Sequence, residues 1–107
     1  MSGFDDREKA FEKKFQHDQD LQFKVEVRRN KMLGIWVANE LFGLTGDEAD
    51  AYAKEVVSAD FEEPGEEDVV RKVMADIEAR NIDFSEHRLR SRMEELLKAA
   101  KEQVMNE

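Results

Sequence analysis

The chain has 107 residues, which is enough for one domain and too few for two. Hydrophobic residues make up 40% of it and charged residues another 40%, so a modest core is expected and wholesale disorder is not. The 26 acidic and 17 basic residues leave a net charge of −9, which argues against a dedicated nucleic-acid binder and against a protein held on anionic lipid.

The sequence pattern is helical throughout. A single proline and five glycines interrupt it, and β-branched residues never alternate with polar ones over the length of a strand. We therefore predict an all-α protein in two parts. Residues 1–18 form a mobile, helix-prone N-terminal arm, and residues 19–107 form a four-helix bundle.

The arm carries three phenylalanines at intervals of seven and four residues: Phe4, Phe11 and Phe15. In a helix all three project from one face. The residues between them are mostly charged: Asp5, Asp6, Arg7, Glu8, Lys9, Glu12, Lys13 and Lys14. An isolated helix of this length is marginally stable in water, so we expect the free arm to be disordered or only partly helical.

The direction of the phenylalanine face leaves two interpretations open. At about 100° per residue, an unbroken helix would align it with Gln22 and place it roughly 100–140° from the stripe through Phe23, Val27 and Gly34. Because that stripe is the expected core face, the arm needs another surface. The arm either folds back over the bundle or binds as a helix in the groove of a partner.

The first two helices have recognisable ends. The first is predicted over about residues 20–42, with Gly43 as its C-cap glycine. The second begins at Thr45, which forms a predicted capping box with Glu48. It continues to about residue 61 or 62.

The last two helices are bounded in the same way. The third follows Pro64, and Asn81 is its predicted stop. The fourth begins after Ser85 as N-cap, with Phe84 and Leu89 as a hydrophobic staple, and runs nearly to the carboxyl terminus. The apolar residues of the second, third and fourth helices recur at steps of three and four. Trp36, in the most apolar stretch of the first helix, is predicted to be core.

Three blocks of the sequence resemble a known family. They are FDDREKAFEKKF (residues 4–15), FKVEVRRNKMLGIW (23–36) and DAYAKEVVSADFEEPGEEDVVRKV (50–73). They closely resemble the zeta subunit of alphaproteobacterial F-type ATP synthases. The resemblance is strong from Phe4 to about Val73 and continues to the end mainly as a helical pattern.

The resemblance implies a regulatory subunit that inhibits ATP hydrolysis by the F-type ATP synthase. Family members are four-helix proteins with a mobile N-terminal arm, which enters a catalytic α/β subunit interface, folds into a helix and contacts the γ rotor. The implied location is cytoplasmic, peripheral to the inner membrane through the ATP synthase. The implied partners are the α, β and γ subunits, and the free protein is expected to be a monomer.

The arm residues supply a mechanism for this role. Phe4, Phe11 and Phe15 would be the apolar anchors, each contributing roughly 1.5–3 kcal/mol if fully buried. The charged residues of the arm would pair with groups of opposite sign on the partner and fix the register.

No enzyme chemistry or cofactor is expected. The chain has no cysteine, and none of its serines lies in a nucleophile-elbow motif. His17 beside Asp18 makes a poor set of metal ligands, and the acidic run over residues 62–68 lacks the spacing of an EF-hand loop. The longest apolar run has seven residues, whereas a membrane-spanning helix needs about 20. No export signal is visible in MSGFDDREK, so a reducing compartment is expected.

A second function from another class remains open: an acidic helical module for protein–protein interaction without ATPase inhibition. Two basic clusters lie at residues 28–31 and 88–92. We expect them to pair with nearby carboxylates, for instance Arg90 with Glu86 or Glu94, and the alternative is a face that docks a partner.

Overall fold

The computed structural model describes residues 19–59 and 66–107. Over these ranges the chain is all-α and contains no strand. The helices are α1 (Gln19–Glu40), α2 (Gly46–Ala59), α3 (Glu67–Ala79) and α4 (Glu86–Met105). The predicted fold class is therefore confirmed for this part of the chain, and the observed bounds lie close to the predicted ones.

The helices pack as a closed set in which α1 contacts α2 and α4, and α3 also contacts α2 and α4. The main core lies between them and includes Leu33 and Val37 of α1 and Ile77 of α3, each with no exposed surface. A smaller cluster joins Val25 at the start of α1 to Ala100 and Val104 of α4. Buried apolar contacts therefore extend along most of the length of α1.

The predicted core stripe of α3 is confirmed, because Val69, Val70, Val73 and Ile77 are all buried. The stripe of α4 is largely confirmed, since only Leu97 of its apolar residues is exposed, with 37% of its surface accessible. In α2 the small and aromatic residues of the predicted stripe are buried as well. The recurrence of apolar residues with the helical period of 3.6 therefore identified the buried faces of three helices.

The predicted stripe of α1 is wrong at its amino-terminal end. Phe23 is 52% exposed and Val27 is only partly buried, whereas Val25 is 1% exposed. The physical reason is that α1 has two neighbours. Its first turns face α4 through Val25, and its later turns also face α2 through Gly34, so no single line along the helix describes the buried face.

Trp36 is likewise not in the buried core. It is partly exposed and packs on the edge of the main cluster, with its ring centre 5.9 Å from that of Phe84. A tryptophan is large enough to cover the core while part of its ring faces solvent. An apolar stretch of sequence cannot distinguish such a residue from one that is completely enclosed.

The ends of α3 and α4 follow the predicted chemistry. Asn81 adopts a left-handed conformation with φ 58°, and the Ile82 N–H donates to the Ile77 carbonyl at 3.2 Å, which is a Schellman arrangement. Ser85 is the N-cap of α4, and its hydroxyl accepts from the Arg88 N–H at 3.2 Å. Phe84 and Leu89 both lie in the main core cluster, as a hydrophobic staple requires.

The connection between α1 and α2 differs from the prediction in one respect. Gly43 has the positive φ expected of a C-cap glycine, 68°. The predicted capping box is not formed, because the Thr45 hydroxyl makes no hydrogen bond with any described residue. Gly46, the first residue of α2, has φ 57°. The backbone therefore enters the helix with a positive φ, whereas an ordinary N-cap residue is extended.

Candidate partner-binding surfaces

The predicted partner-binding residues of the arm, from Phe4 to Phe15, lie outside the described residues, and so does His17. Their roles as anchors and charge partners remain predictions. The described structure begins where the arm ends, at the first turn of α1. It therefore shows the surfaces that surround the arm's attachment point and the rest of the bundle.

An open groove of about 680 Å³ lies along the first four turns of α1. Its walls combine apolar side chains (Phe23, Val27, Met32 and Ile35) with basic ones (Lys24, Arg28 and Lys31). Asp20 of α1 and Gln103 of α4 complete the lining. The exposed ring of Phe23 belongs to this groove. The residue that the sequence pattern placed in the core thus contributes to an outward-facing apolar surface.

The carboxyl terminus is attached beside this groove. Glu107 forms ion pairs with Arg28 and with Lys24, whose Nζ lies 3.1 Å from the carboxylate. Hydrogen bonds from Lys24 and then Arg28 lower the pKa of the Glu107 carboxyl. These exposed pairs add little stability, but they connect the end of α4 to the start of α1, to which the predicted arm is attached.

The buried face of α1 differs from the face that was used to predict the direction of the arm. If α1 continued unbroken toward the amino terminus, Val25 and Leu33 would lie within about 60° of the line through the arm phenylalanines, at 100° per residue. The predicted separation of 100–140° used Phe23, Val27 and Gly34, and of these only Gly34 is buried. Helical phase therefore does not distinguish an arm that folds back from one that binds a partner.

One residue of the first basic cluster, Arg29, has a structural role. Arg29 is only 4% exposed, and its Nε donates to the Asn30 side-chain oxygen at 2.7 Å. One of its terminal nitrogens lies 3.6 Å from a carboxylate oxygen of Glu66. This arginine connects α1 to the start of α3 and is not available to a partner.

The second basic cluster divides into two kinds of arginine. Arg90 contacts three carboxylates, with Glu86 at 3.1 Å, Glu67 at 3.0 Å and Glu66 at 3.4 Å. The predicted pairing with Glu86 is confirmed, whereas Glu94 is not a partner. The hydrogen bond and the charge of Arg90 lower the pKa of Glu67.

Arg88 and Arg92 lie over aromatic rings. The guanidinium carbon of Arg88 is 4.5 Å from the ring centre of Phe84, and that of Arg92 is 4.7 Å from the ring centre of Trp36. With His87 these four side chains line an open depression of about 200 Å³ between α1 and α4, and Ser91 and Glu95 complete its lining. We call this set (Trp36, Phe84, His87, Arg88 and Arg92) the arginine–aromatic patch. The sequence signal for it was the spacing of the two arginines by one helical turn.

A structural contact between α2 and α3 shifts the pKa of Tyr52. Burial raises the pKa of Tyr52, and the hydrogen bond from its hydroxyl to the Asp76 carboxylate, 2.9 Å long, raises it further. Partial burial alone would lower the pKa of Lys72, but its hydrogen bond and ion pair with the same carboxylate raise it on balance. A neutral phenol and an ammonium that share one carboxylate form a bridge between α2 and α3.

Within residues 19–59 and 66–107, no group of three or more His, Asp or Glu side chains is arranged to hold a metal ion. None of the helices described is both long enough and apolar enough to cross a membrane.

Comparisons with known proteins agree with this architecture. A structure solved by solution NMR matches with 52% sequence identity and a TM-score of 0.70, covering 80% of this chain and 96% of the other. No curated protein sequence matches. A family model described as ATPase inhibitor subunit zeta matches residues 1–103, which is nearly the whole chain. The chain therefore belongs to the ATPase inhibitor subunit zeta family.

Proposed function

We propose that this chain inhibits ATP hydrolysis by the F-type ATP synthase, and that residues 1–18 are the inhibitory element. The observation that carries the proposal is the extent of the family match, which begins at residue 1 and so includes the arm as well as the bundle. In this proposal the arm enters a catalytic α/β interface as a helix beside the γ rotor and blocks rotation in the hydrolysis direction.

The arm's composition supports this use. Ordering a short segment on binding costs several kcal/mol, so tight binding needs several anchors buried together. Phe4, Phe11 and Phe15 would each contribute roughly 1.5–3 kcal/mol when buried. The charged residues between them would fix the register of the helix by pairing with groups on the partner.

The bundle is the scaffold in this proposal. Its core is continuous through all four helices, and the end of α4 is joined to the start of α1 by the ion pairs of Glu107. Contacts of the bundle with the enzyme would hold the arm near its binding site and raise its effective concentration there. The free protein would be a monomer that needs no cofactor and is located at the inner membrane only through the enzyme.

The test is ATP hydrolysis by the catalytic head of the same organism's ATP synthase. Replacing Phe4, Phe11 and Phe15 together with alanine should abolish inhibition and leave the thermal melting temperature unchanged. A chain lacking residues 1–18 should be inactive as well. Leu97→Ala is the control, since it truncates an apolar side chain of α4 that is 37% exposed and lies outside both the arm and the groove along α1; it should still inhibit at saturation.

Two results would contradict the proposal. If the triple variant unfolds, the arm phenylalanines are part of the core and the arm is not a free inhibitory element. If the wild-type chain fails to slow hydrolysis, the alternative of an acidic interaction module without ATPase inhibition becomes the better description.

A further inference from the structure

We propose that the arginine–aromatic patch is the surface by which the bundle docks on a carboxylate-rich protein surface. The proposal rests on the function proposed above, because we assign that acidic surface to the catalytic head of the ATP synthase. The arm and the patch would then make separate contacts with one enzyme. The arm would block rotation, and the patch would determine how tightly the subunit is held.

The charge distribution indicates an acidic partner. The chain carries a net charge of −9, yet Arg88 has no carboxylate within 4.0 Å among the described residues. Arg90, two residues further along the same helix, has three. An exposed arginine that has no carboxylate partner among the described residues, in a protein with surplus carboxylates, is suited to bind a carboxylate on another molecule.

The stacking of Arg88 on Phe84 prepares it for such a contact. Phe84 is 9% exposed and belongs to the main core cluster, so the ring is a fixed support. A guanidinium that lies over a ring face keeps its N–H donors at its own edge, where they can form paired hydrogen bonds with a carboxylate. Because the side chain is already ordered, binding loses less conformational entropy.

The composition of the patch also fits a protein interface. Tryptophan and arginine are the residues that most often dominate the binding free energy of interfaces, and Trp36 is the only tryptophan of the chain. It is partly exposed and lies under Arg92, which keeps one ion pair, with Glu95 at 2.7 Å. Two stacked arginines on neighbouring turns thus flank a depression whose lining combines the Trp36 and Phe84 rings with His87, Ser91 and Glu95.

The shape of the patch favours a protein surface over a small anion. The depression holds only about 200 Å³, and its polar residues are exposed or partly exposed, so none is buried and aimed into it. A small ligand would remain largely in water there. A protein surface would cover the patch and exclude water from the Arg88–Phe84 and Arg92–Trp36 contacts.

The test measures binding of the labelled full-length chain to the catalytic head, together with hydrolysis at saturation. Arg88→Glu is compared with Lys98→Glu, which changes the net charge by the same amount at an exposed position of the same helix. We expect Arg88→Glu to raise the dissociation constant about tenfold or more, and Lys98→Glu to change it less than about twofold. Both variants should still inhibit fully at saturation, whereas the triple alanine variant of the arm should not.

Each remaining outcome overturns the proposal in a recognisable way. If the two charge reversals weaken binding equally while inhibition persists, the patch is not the docking surface but the inhibitory function stands. If the wild-type chain neither binds nor inhibits the head, both proposals fail together. Arg88→Gln is a second variant for the case in which the charge reversal destabilises the fold. If Arg88→Glu lowers the melting temperature, the proposal requires Arg88→Gln to bind the catalytic head more weakly than the wild type does.

Discussion

Gly34 of α1 lies directly against Ala53 of α2. A Cβ atom added to Gly34 would fall 2.5 Å from the Cα of Ala53 and 3.2 Å from its backbone nitrogen. Such a distance is well inside van der Waals contact, so the two backbones touch without intervening side chains. The separation of helix axes depends on the side chains at the contact, and here the absence of one brings α1 and α2 close together.

Gly34→Ala should therefore destabilise the bundle. Alanine gains about 1 kcal/mol of helix propensity over glycine, but overpacking costs about 1–3 kcal/mol, and the atom in the way is backbone that cannot rotate aside. Because a clash with backbone belongs at the upper end of that cost, we expect the free energy of unfolding to fall by about 2 kcal/mol in urea denaturation, net of the gain in helix propensity. Ser58→Ala, at an exposed position of α2, is the control and should stay within about 0.5 kcal/mol. An unchanged or higher stability would show that α2 moves away freely.

Two residues near the start of α1 test which face of that helix is buried. Val25→Ala removes methyl groups from a side chain that is 1% exposed and should cost about 1–3 kcal/mol of unfolding free energy. Phe23→Ala removes a larger side chain that is 52% exposed, and it should cost clearly less. Chemical denaturation of the two variants side by side gives the answer. The opposite ranking would restore the stripe that the sequence pattern predicted.

The hydroxyl of Tyr52 should contribute to stability through Asp76. Tyr52→Phe keeps the ring and its edge-on packing against Phe42, and it removes only the 2.9 Å hydrogen bond to the carboxylate. Asp76 retains Lys72 at 2.8 Å, so its charge is not left alone. We expect a loss of about 1–2 kcal/mol at neutral pH in thermal or urea unfolding. No loss would mean that water replaces the phenol without cost.

The same residue predicts a dependence on alkaline pH. Burial holds the pKa of Tyr52 in the folded protein above its ordinary value of 10.0, so the unfolded chain releases this proton first. The stabilising contribution is complete below about pH 10 and is lost as the pH rises toward the folded-state pKa. The difference in stability between the wild type and Tyr52→Phe should therefore shrink above about pH 10. A difference that stays constant would show that the phenol titrates as if exposed.

The cap of α4 gives a prediction with a control on the same helix. Ser85→Ala removes the hydroxyl that accepts from the Arg88 N–H, and it should cost about 1 kcal/mol of unfolding free energy. Ser91→Ala changes an exposed serine within α4 and should be close to neutral. If the two variants are equally stable, the first turn of α4 is held by Phe84 and Leu89 alone.

Local features of the sequence predicted much of this structure because their physical causes are local. The cap at Ser85 and the stop at Asn81 depend on backbone groups within a few residues. The core faces of α3 and α4 follow from apolar spacing, since each helix presents one inward side. The arm could be predicted only as a pattern of phenylalanines, and its residues lie outside the described structure.

The features that the sequence did not reveal depend on which helices are neighbours. Phe23 and Val25 are both apolar and two residues apart, and only the position of α4 determines that Val25 is enclosed and Phe23 is not. The prediction that Trp36 is core failed because composition records only hydrophobicity. It does not show that the residue lies at the edge of the core.

By itself the sequence determined the helical class, the ends of the third and fourth helices and the family resemblance, and it predicts a charged, phenylalanine-bearing arm. The tertiary structure decided which cations are compensated: Arg29 is buried, Arg90 is held by three carboxylates, and Arg88 faces outward over Phe84. The physical reason is that an arginine's environment depends on carboxylates and rings brought to it from other helices. Spacing along one helix specifies only its nearest neighbours in sequence.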